Sequence, residues 1–386
     1  MDSTKTLALK MLNESDNWLK KNDYYYIESS FVPESYFTNY PQVNAIIRGI
    51  LRLYPFSKRR PSVPKYTPQT IIALLKSKII SRDLNSCNYL LERILTLQSP
   101  KTKNFSLKQG IQISINSYEN SSEDPTPLNT VWFGLCLLDD EMSIIDDGLK
   151  SELLISISNY LIDELGYIDH GALGIYFYYG PTLKKEIYNA SAVISAFLIR
   201  VGEKYSIDRY TNFGIRGIKY ICNVQNPDGS WFYAGSPLRK CIDCFHQSYI
   251  LQALFSVMSN PKLDIDININ KGVKYYESFF LEKAQLLIPH RYDKRFTPYN
   301  TWLLIKVEAR DVAEAITFYC KCIPNKEKVE KLVNYLYLSF FNKEGYFYPE
   351  IFRYGKNFNP YGEFQGWVNY SLQLYLNTFY ADYKRI

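Results

Sequence analysis

The hydrophobic pattern of this chain is helical almost from end to end, and it is broken at regular intervals. Along Tyr188 to Tyr205 the apolar residues Val193, Ala196, Phe197 and Val201 recur three and four residues apart, with Ala192 and Ile199 beside them. That spacing gathers them on one face of a helix. Ile215, Ile218, Ile221 and Cys222 repeat the pattern, and Tyr249, Ile250, Ala253, Leu254 and Val257 repeat it within Phe245 to Met258. Asn189 and Ser191 are candidate caps of the first of these helices. Period-two runs long enough for core strands are scarce, and short extended pieces such as Tyr176 to Tyr179 read as small hairpins in loops.

The breaks share a form. Glycine or proline followed by aromatics occurs at Gly166-Tyr167, at Gly229 to Tyr233, at Pro289 to Tyr292 and at Gly345 to Tyr348. These lie about 60 residues apart, room for two helices and their loops. Asn226 to Tyr233 and Asn342 to Tyr348 match best, each with an Asn, an acid, a Gly and then aromatics. The repeat predicts an all-α fold of six helical hairpins, an (α/α)6 toroid with short β-hairpins in its loops. Residues 1–386 are expected to form a single domain, with 1–65 as an N-terminal hairpin and a proline-rich connection through Tyr54 to Tyr66. An open solenoid is the alternative.

Composition narrows the function. Aromatic residues make up 16% of the 386 positions and Tyr alone has 35 copies, which suits surfaces that hold sugars through a ring face and a hydroxyl. The net charge of +6 is spread along the chain. Its one basic cluster, Lys58-Arg59-Arg60, reads as a solvated loop, so no nucleic-acid partner is expected. No apolar run approaches the roughly 20 residues that span a bilayer. No secretory leader is read at the N-terminus. Seven scattered cysteines, an odd number, fit a reducing cytoplasm.

Candidate chemistry concentrates in four places. Asn226 to His246 offers Asp228, Trp231, Tyr233, Arg239, Asp243 and His246 within one loop and the start of one helix. Carboxylate and imidazole can move protons, aromatic faces can stack on sugars, and the helix start favours an anion. Trp231 and Tyr233 could equally plug the core. Glu308, Arg310, Asp311 and Glu314 form a second cluster at helical spacing, where paired carboxylates can share acid and base roles. Cys241, Cys244 and His246, with Cys320 and Cys322 downstream, could ligate zinc, although buried cysteine is the commoner case. Tyr361 to Trp367 is a loop entering the last helix, with Glu363, Gln365 and Trp367 available.

Taken together, Tyr188-Asn189-Ala190-Ser191-Ala192, Gln225-Asn226-Pro227-Asp228-Gly229-Ser230-Trp231 and Asp243-Cys244-Phe245-His246 resemble a family of α/α toroids found in polysaccharide-biosynthesis clusters of bacteria and archaea. Arg310 to Ile316, Gly345 to Tyr348 and Gln365 to Trp367 also fit, while Cys244 stands where that family often carries Asn. The resemblance implies kinship with the helical domains of glucuronyl 5-epimerases, N-acylglucosamine 2-epimerases and unsaturated glucuronyl hydrolases. It implies a saccharide or polysaccharide intermediate as partner.

The leading expectation is an enzyme of surface-polysaccharide synthesis that epimerises a uronic acid or amino sugar. Asp243, His246, Glu308 and Tyr233 are the candidate acids and bases. Trp231 and Tyr348 are candidate stacking walls, and Arg239 and Arg310 would hold a carboxylate. Asn189, Asp228, Asp311, Tyr346, Gln365 and Trp367 are further candidate contacts. No cofactor is expected. The alternatives are a glycoside hydrolase or lyase, a non-catalytic glycan-binding protein, and a zinc enzyme of the prenyl-transfer or thioether-forming type.

Overall fold

The computed structural model describes residues 3–21, 67–109, 113–115, 118–140, 143–180, 184–235, 241–296, 305–352, 355–358, 360 and 362–380. Tyr54 to Tyr66 and Arg239 lie outside them. The described residues form twelve α-helices: α1 (Ser3–Lys21), α2 (Pro68–Ser81), α3 (Leu84–Leu95), α4 (Pro127–Leu138), α5 (Asp147–Asn159), α6 (Tyr188–Tyr205), α7 (Asp208–Asn223), α8 (Cys244–Phe255), α9 (Asp266–Glu277), α10 (Ala309–Lys321), α11 (Lys326–Phe340) and α12 (Gly362–Phe379).

The helices alternate in character. In α6, 14 of 18 residues are buried, but in α7 only 7 of 16 are. In α12, 15 of 18 are buried, against 6 of 15 in α11. A helix covered on every side must be ringed by other elements, whereas one with a single apolar stripe keeps a solvent face. The even-numbered helices are of the first kind and the odd-numbered of the second. Small residues bring the pairs close. A β-carbon on Gly217 of α7 would stand 1.9 Å from Ser195 Oγ of α6.

Packing divides the chain into two compact units, Met1–Ser81 with Phe280–Ile386, and Arg82–Phe279. In the first unit α1 lies against α11 and α12, α2 against α12, and α10 against α11 and α12. The first and last helices of the chain therefore share one core. This unit also holds the hairpin of β5 (Phe280–Lys283) with β6 (Leu286–Pro289), and a three-stranded sheet of β7 (Ile305–Glu308), β8 (Glu350–Phe352) and β9 (Gly355–Lys356). In the second unit α6 packs on α4, α7 and α8, α4 on α5, and α8 on α9. Its hairpins pair β1 (Ile113–Ile115) with β2 (Tyr118–Asn120), and β3 (Tyr167–Asp169) with β4 (Ile175–Phe177). The extended piece expected at Tyr176 is thus part of a real hairpin.

One device recurs where loops lead into the buried helices. The Leu107 N–H donates to Thr130 Oγ1 at 2.9 Å, and the Phe177 N–H to Ser191 Oγ at 3.2 Å. The Trp231 N–H donates to Gln247 Oε1 at 3.0 Å, and Gln247 Nε2 donates back to the Trp231 carbonyl at 2.6 Å. Phe347 and Gln365 make the same reciprocal pair, both bonds at 2.8 Å. Thr130, Ser191, Gln247 and Gln365 are each the fourth residue of their helix. Buried backbone groups need partners, and these side chains supply them. Ser191 is thus a loop lock inside α6. Neither it nor Asn189 caps that helix, whose N-cap is Ile187.

The two matching sequence breaks prove to be one loop used twice. The Asn226 N–H donates to Ser230 O at 2.8 Å and the Asn342 N–H to Tyr346 O at 2.9 Å. Gly229 and Gly345 turn at φ +92° and +88°, a conformation that strains any residue with a β-carbon. Replacing Gln247 or Gln365 by Leu leaves a buried N–H and C=O unpaired and should cost about 2–4 kcal/mol each in denaturant unfolding. A loss below about 1 kcal/mol at both positions would show the locks to be dispensable.

Candidate functional site

Because Gln247 pins α8 to the Trp231 loop, the first turn of α8 is held in a fixed attitude beside that loop. Asp243 is its N-cap and is buried. Its Oδ1 accepts the His246 backbone N–H at 2.8 Å, and its Oδ2 lies 2.6 Å from His246 Nδ1. A carboxylate on Nδ1 holds the proton there and leaves Nε2 as the basic nitrogen. The imidazole side chain keeps 21% of its surface exposed, so the dyad is a sheltered base with access to a ligand. The Tyr233 ring meets His246 edge-on, with centroids 4.6 Å apart. Asp243, His246 and Tyr233 are therefore brought together.

The segment carrying Tyr233 runs beside the one that enters α6. Ile187 bridges to Ala234, the Tyr188 N–H donates to Tyr233 O at 3.3 Å, and the Gly235 N–H donates to Glu186 O at 3.0 Å. Ile187 and Ala234 face a small core, so Glu186 and Tyr188 stand on the opposite side. There the Tyr188 hydroxyl donates to Glu186 Oε2 at 3.4 Å, His170 Nε2 lies 3.7 Å from Oε1, and burial, then the same carboxylate, pushes the Tyr220 hydroxyl up. The His170 ring stacks on Tyr220 and Tyr176 with centroids 5.0 Å and 5.6 Å away. Burial, then the neighbouring Glu186 carboxylate, pushes the Tyr188 hydroxyl up to about 12. Sequence reasoning missed this cluster. Its members come from three separated segments, and the only local hint was that His170 is one of three histidines.

Several expected contacts take structural roles instead. Trp231 is fully buried, donates Nε1–H to the Ile221 carbonyl at 2.8 Å and packs over Gly272, so it fills the core and is no wall for a ligand. Asp228 Oδ1 accepts from the Ser230 N–H and hydroxyl within its own turn. Asn189 is buried near the start of α6, and its Oδ1 has no hydrogen-bond partner among the described residues. Cys244 is fully buried. Cys320 and Cys322 lie in α10 and at its C-terminal end, and burial pushes both thiols up to about 12. Among the described residues no group of three or more His, Cys, Asp or Glu side chains is arranged to hold a metal ion.

In the other unit, the start of α10 is a buried ion network. Glu308 is the N-cap and Asp311 completes a reciprocal capping box with it. Arg291 Nη1 donates to Asp311 Oδ1 at 2.7 Å and lies 3.0 Å from Glu308 Oε2, which also accepts from Arg310 Nη2 at 2.9 Å. Arg310 further approaches Glu363 at 3.6 Å and stacks over Phe364. Glu314 accepts from Trp367 Nε1. Glu308 is thus held by two guanidiniums, which makes it a poor proton acceptor, and Asp311 and Gln365 are committed to structure. Tyr346 is buried between Trp18 and Tyr348, while Tyr348 is half-buried beside exposed Phe358.

No protein-family model matches the chain, and no curated protein matches it in sequence. Solved structures do resemble it. A family 76 glycoside hydrolase (mannosidase) from Bacteroides thetaiotaomicron VPI-5482 aligns with a TM-score of 0.59 over 95% of this chain and 98% of that one, at 11% identity. A family 76 α-1,6-mannanase from a Salegentibacter species gives 0.59 over 97% and 100%, at 10% identity. A D-mannose isomerase gives 0.57 over 95% and 97%, at 10% identity. The likeness shows the fold: an all-α (α/α)6 toroid.

Two outcomes follow from the site's construction. Asp243→Ala removes an N-cap and should cost about 1–2 kcal/mol in urea unfolding, whereas Asp243→Asn, which still caps, should cost less than half of that. Tyr188 and Tyr346 have hydroxyls raised from 10.0 to about 12 by burial, so their contribution is intact below pH 10 and lost as pH rises toward 12. The unfolding midpoint, followed by circular dichroism, should fall across that window, and less steeply in Tyr346→Phe.

Proposed function

We propose that the chain is a carbohydrate-active enzyme that moves a proton on a sugar, an epimerase or isomerase, with His246 as its base. The single observation that carries this is the Asp243–His246 pair, a buried carboxylate 2.6 Å from the Nδ1 of a partly exposed imidazole. His246 Nε2 takes the proton from the carbon next to the carbonyl of an open-chain sugar. The C–H electron pair moves into an enediolate, and Asp243 stabilises the imidazolium that forms. A proton delivered to the other face by a separate acid, such as water, gives the epimer; return by the imidazolium to the adjacent carbon, with the hydroxyl proton passing from one oxygen of the enediolate to the other, gives the isomer. Tyr233, against the imidazole edge, borders the same space. Likeness to a D-mannose isomerase supports the substrate class. On the motif resemblance, the setting we assign is cytoplasmic synthesis of surface polysaccharide.

A second reading is favoured by the family 76 structures: hydrolysis of a mannosidic bond. It calls for an acid and a carboxylate on either side of the scissile bond. Against it, Glu308 and Asp311 are held by arginines and Glu314 by Trp367.

Incubation with D-mannose, D-glucose, N-acetylglucosamine and hexuronates in deuterated water, read by proton NMR, separates the two. Deuterium should enter at one ring carbon of at least one sugar, and His246→Gln should slow this by about 10²–10⁴-fold. New reducing ends from α-1,6-mannan, with no exchange into any monosaccharide, would replace proton transfer by hydrolysis.

A further inference from the structure

Glu186, in the second unit, stands beside an aromatic hydroxyl and an imidazole. Tyr188 directs its hydroxyl at the carboxylate, Tyr220 stands near enough to feel its charge, and His170 approaches its other oxygen. Of the basic chains nearby in sequence, Lys184 lies over the Tyr178 ring and Arg216 is bonded to Asp169. Opposite Glu186 is Gly235, where a β-carbon would fall 1.7 Å from Glu186 Oε2, so the missing side chain is what makes room for the carboxylate. The carboxylate keeps 26% of its surface exposed, and His170 keeps 35%. Tyr188, two residues on from Glu186, pairs across the ribbon with Tyr233, whose ring meets His246. The ribbon that carries Glu186 and Tyr188 is thus tied through Tyr233 to the segment beside the dyad.

We propose that Glu186, with Tyr188, Tyr220 and His170 around it, is a sugar-binding subsite that accepts hydrogen bonds from the hydroxyls of an uncharged sugar and turns away uronates. The inference rests on the proton-transfer reading for the ligand's being a saccharide, and it deepens that reading by naming the substrate class. Two adjacent hydroxyls match the two oxygens of one carboxylate, and such charge-assisted bonds are the stronger kind. The tyrosine hydroxyls can turn from Glu186 to the sugar, since they are donors and acceptors both. A uronate would bring a second negative charge beside Glu186, and like charges brought together repel.

The test is isothermal titration of the full chain with D-mannose and D-glucose and with their uronates, D-mannuronate and D-glucuronate. Wild type should bind at least one neutral sugar ten or more times more tightly than its uronate. Glu186→Gln, isosteric but uncharged, should weaken the neutral sugar about 10-fold or more and narrow the preference over the uronate by a similar factor. Gly235→Ala, which keeps the carboxylate but displaces it, should weaken binding likewise. Unchanged affinity and preference in Glu186→Gln would overturn the subsite, as would a wild type that prefers uronates or binds none of the four sugars. Deuterium exchange keeps the two ideas apart. Binding that follows Glu186 without any exchange sinks proton transfer and leaves the subsite, and exchange with binding indifferent to Glu186 does the reverse.

Discussion

Loops that enter fully buried helices carry backbone N–H and C=O groups away from water, and each of those groups must find a partner. Here the partner comes from the fourth residue of the helix that follows, as Thr130, Ser191, Gln247 and Gln365. The bond does more than satisfy a donor. It fixes the rotation of the helix about its axis and its height relative to the loop, because the lock must meet one particular amide. Side chains one and two places before the lock then project in a set direction. His246 is such a residue, and its alignment with Asp243 and Tyr233 follows from the Gln247 bond as much as from its own contacts.

The charges divide by chemistry. Around α10, carboxylates and guanidiniums neutralise one another in a buried network that also caps the helix. A network of that kind is costly to break and slow to change protonation, which suits a scaffold. Around α8 Asp243 is paired with an imidazole, a group whose two ring nitrogens can hold a proton on one side and offer a base on the other. The aromatic residues divide too. Trp231 and Phe347 fill cores, while the buried tyrosines around Glu186 stand beside a partly exposed carboxylate and imidazole.

Much of the fold was legible because helical periodicity survives in single segments. Tyr188 to Tyr205 reads as a helix from its apolar spacing, and it is one over that span. The twin loops were legible too, since an Asn, a Gly at positive φ and a buried aromatic each leave a mark in sequence. The Asp243–His246 pair was within reach because both residues fall in one helical turn. The Glu186 cluster was not, because its contacts join a hairpin tip, a helix entrance and the end of another helix. The role of Trp231 was undecided in sequence for a related reason. An aromatic after a glycine turn reads alike as plug or wall until Gly272, from a distant helix, is seen beneath it. Glu308 read as a catalytic acid only while Arg291, 17 residues upstream, was unplaced.

The locks carry one more implication, for how such a chain can change. If the fourth residue alone sets the attitude of each buried helix, the residue before it is interchangeable among them. That place is taken by Asn129 in α4, Ala190 in α6, His246 in α8 and Phe364 in α12, which are amide, methyl, imidazole and phenyl in equivalent registers. The scaffold behaves as a holder with indexed sockets. New chemistry is most readily installed where the socket keeps an exposed edge, as at His246, since Asn129, Ala190 and Phe364 are buried in the core. Proteins of this shape can therefore drift far apart in sequence and in reaction while their helices stay in place.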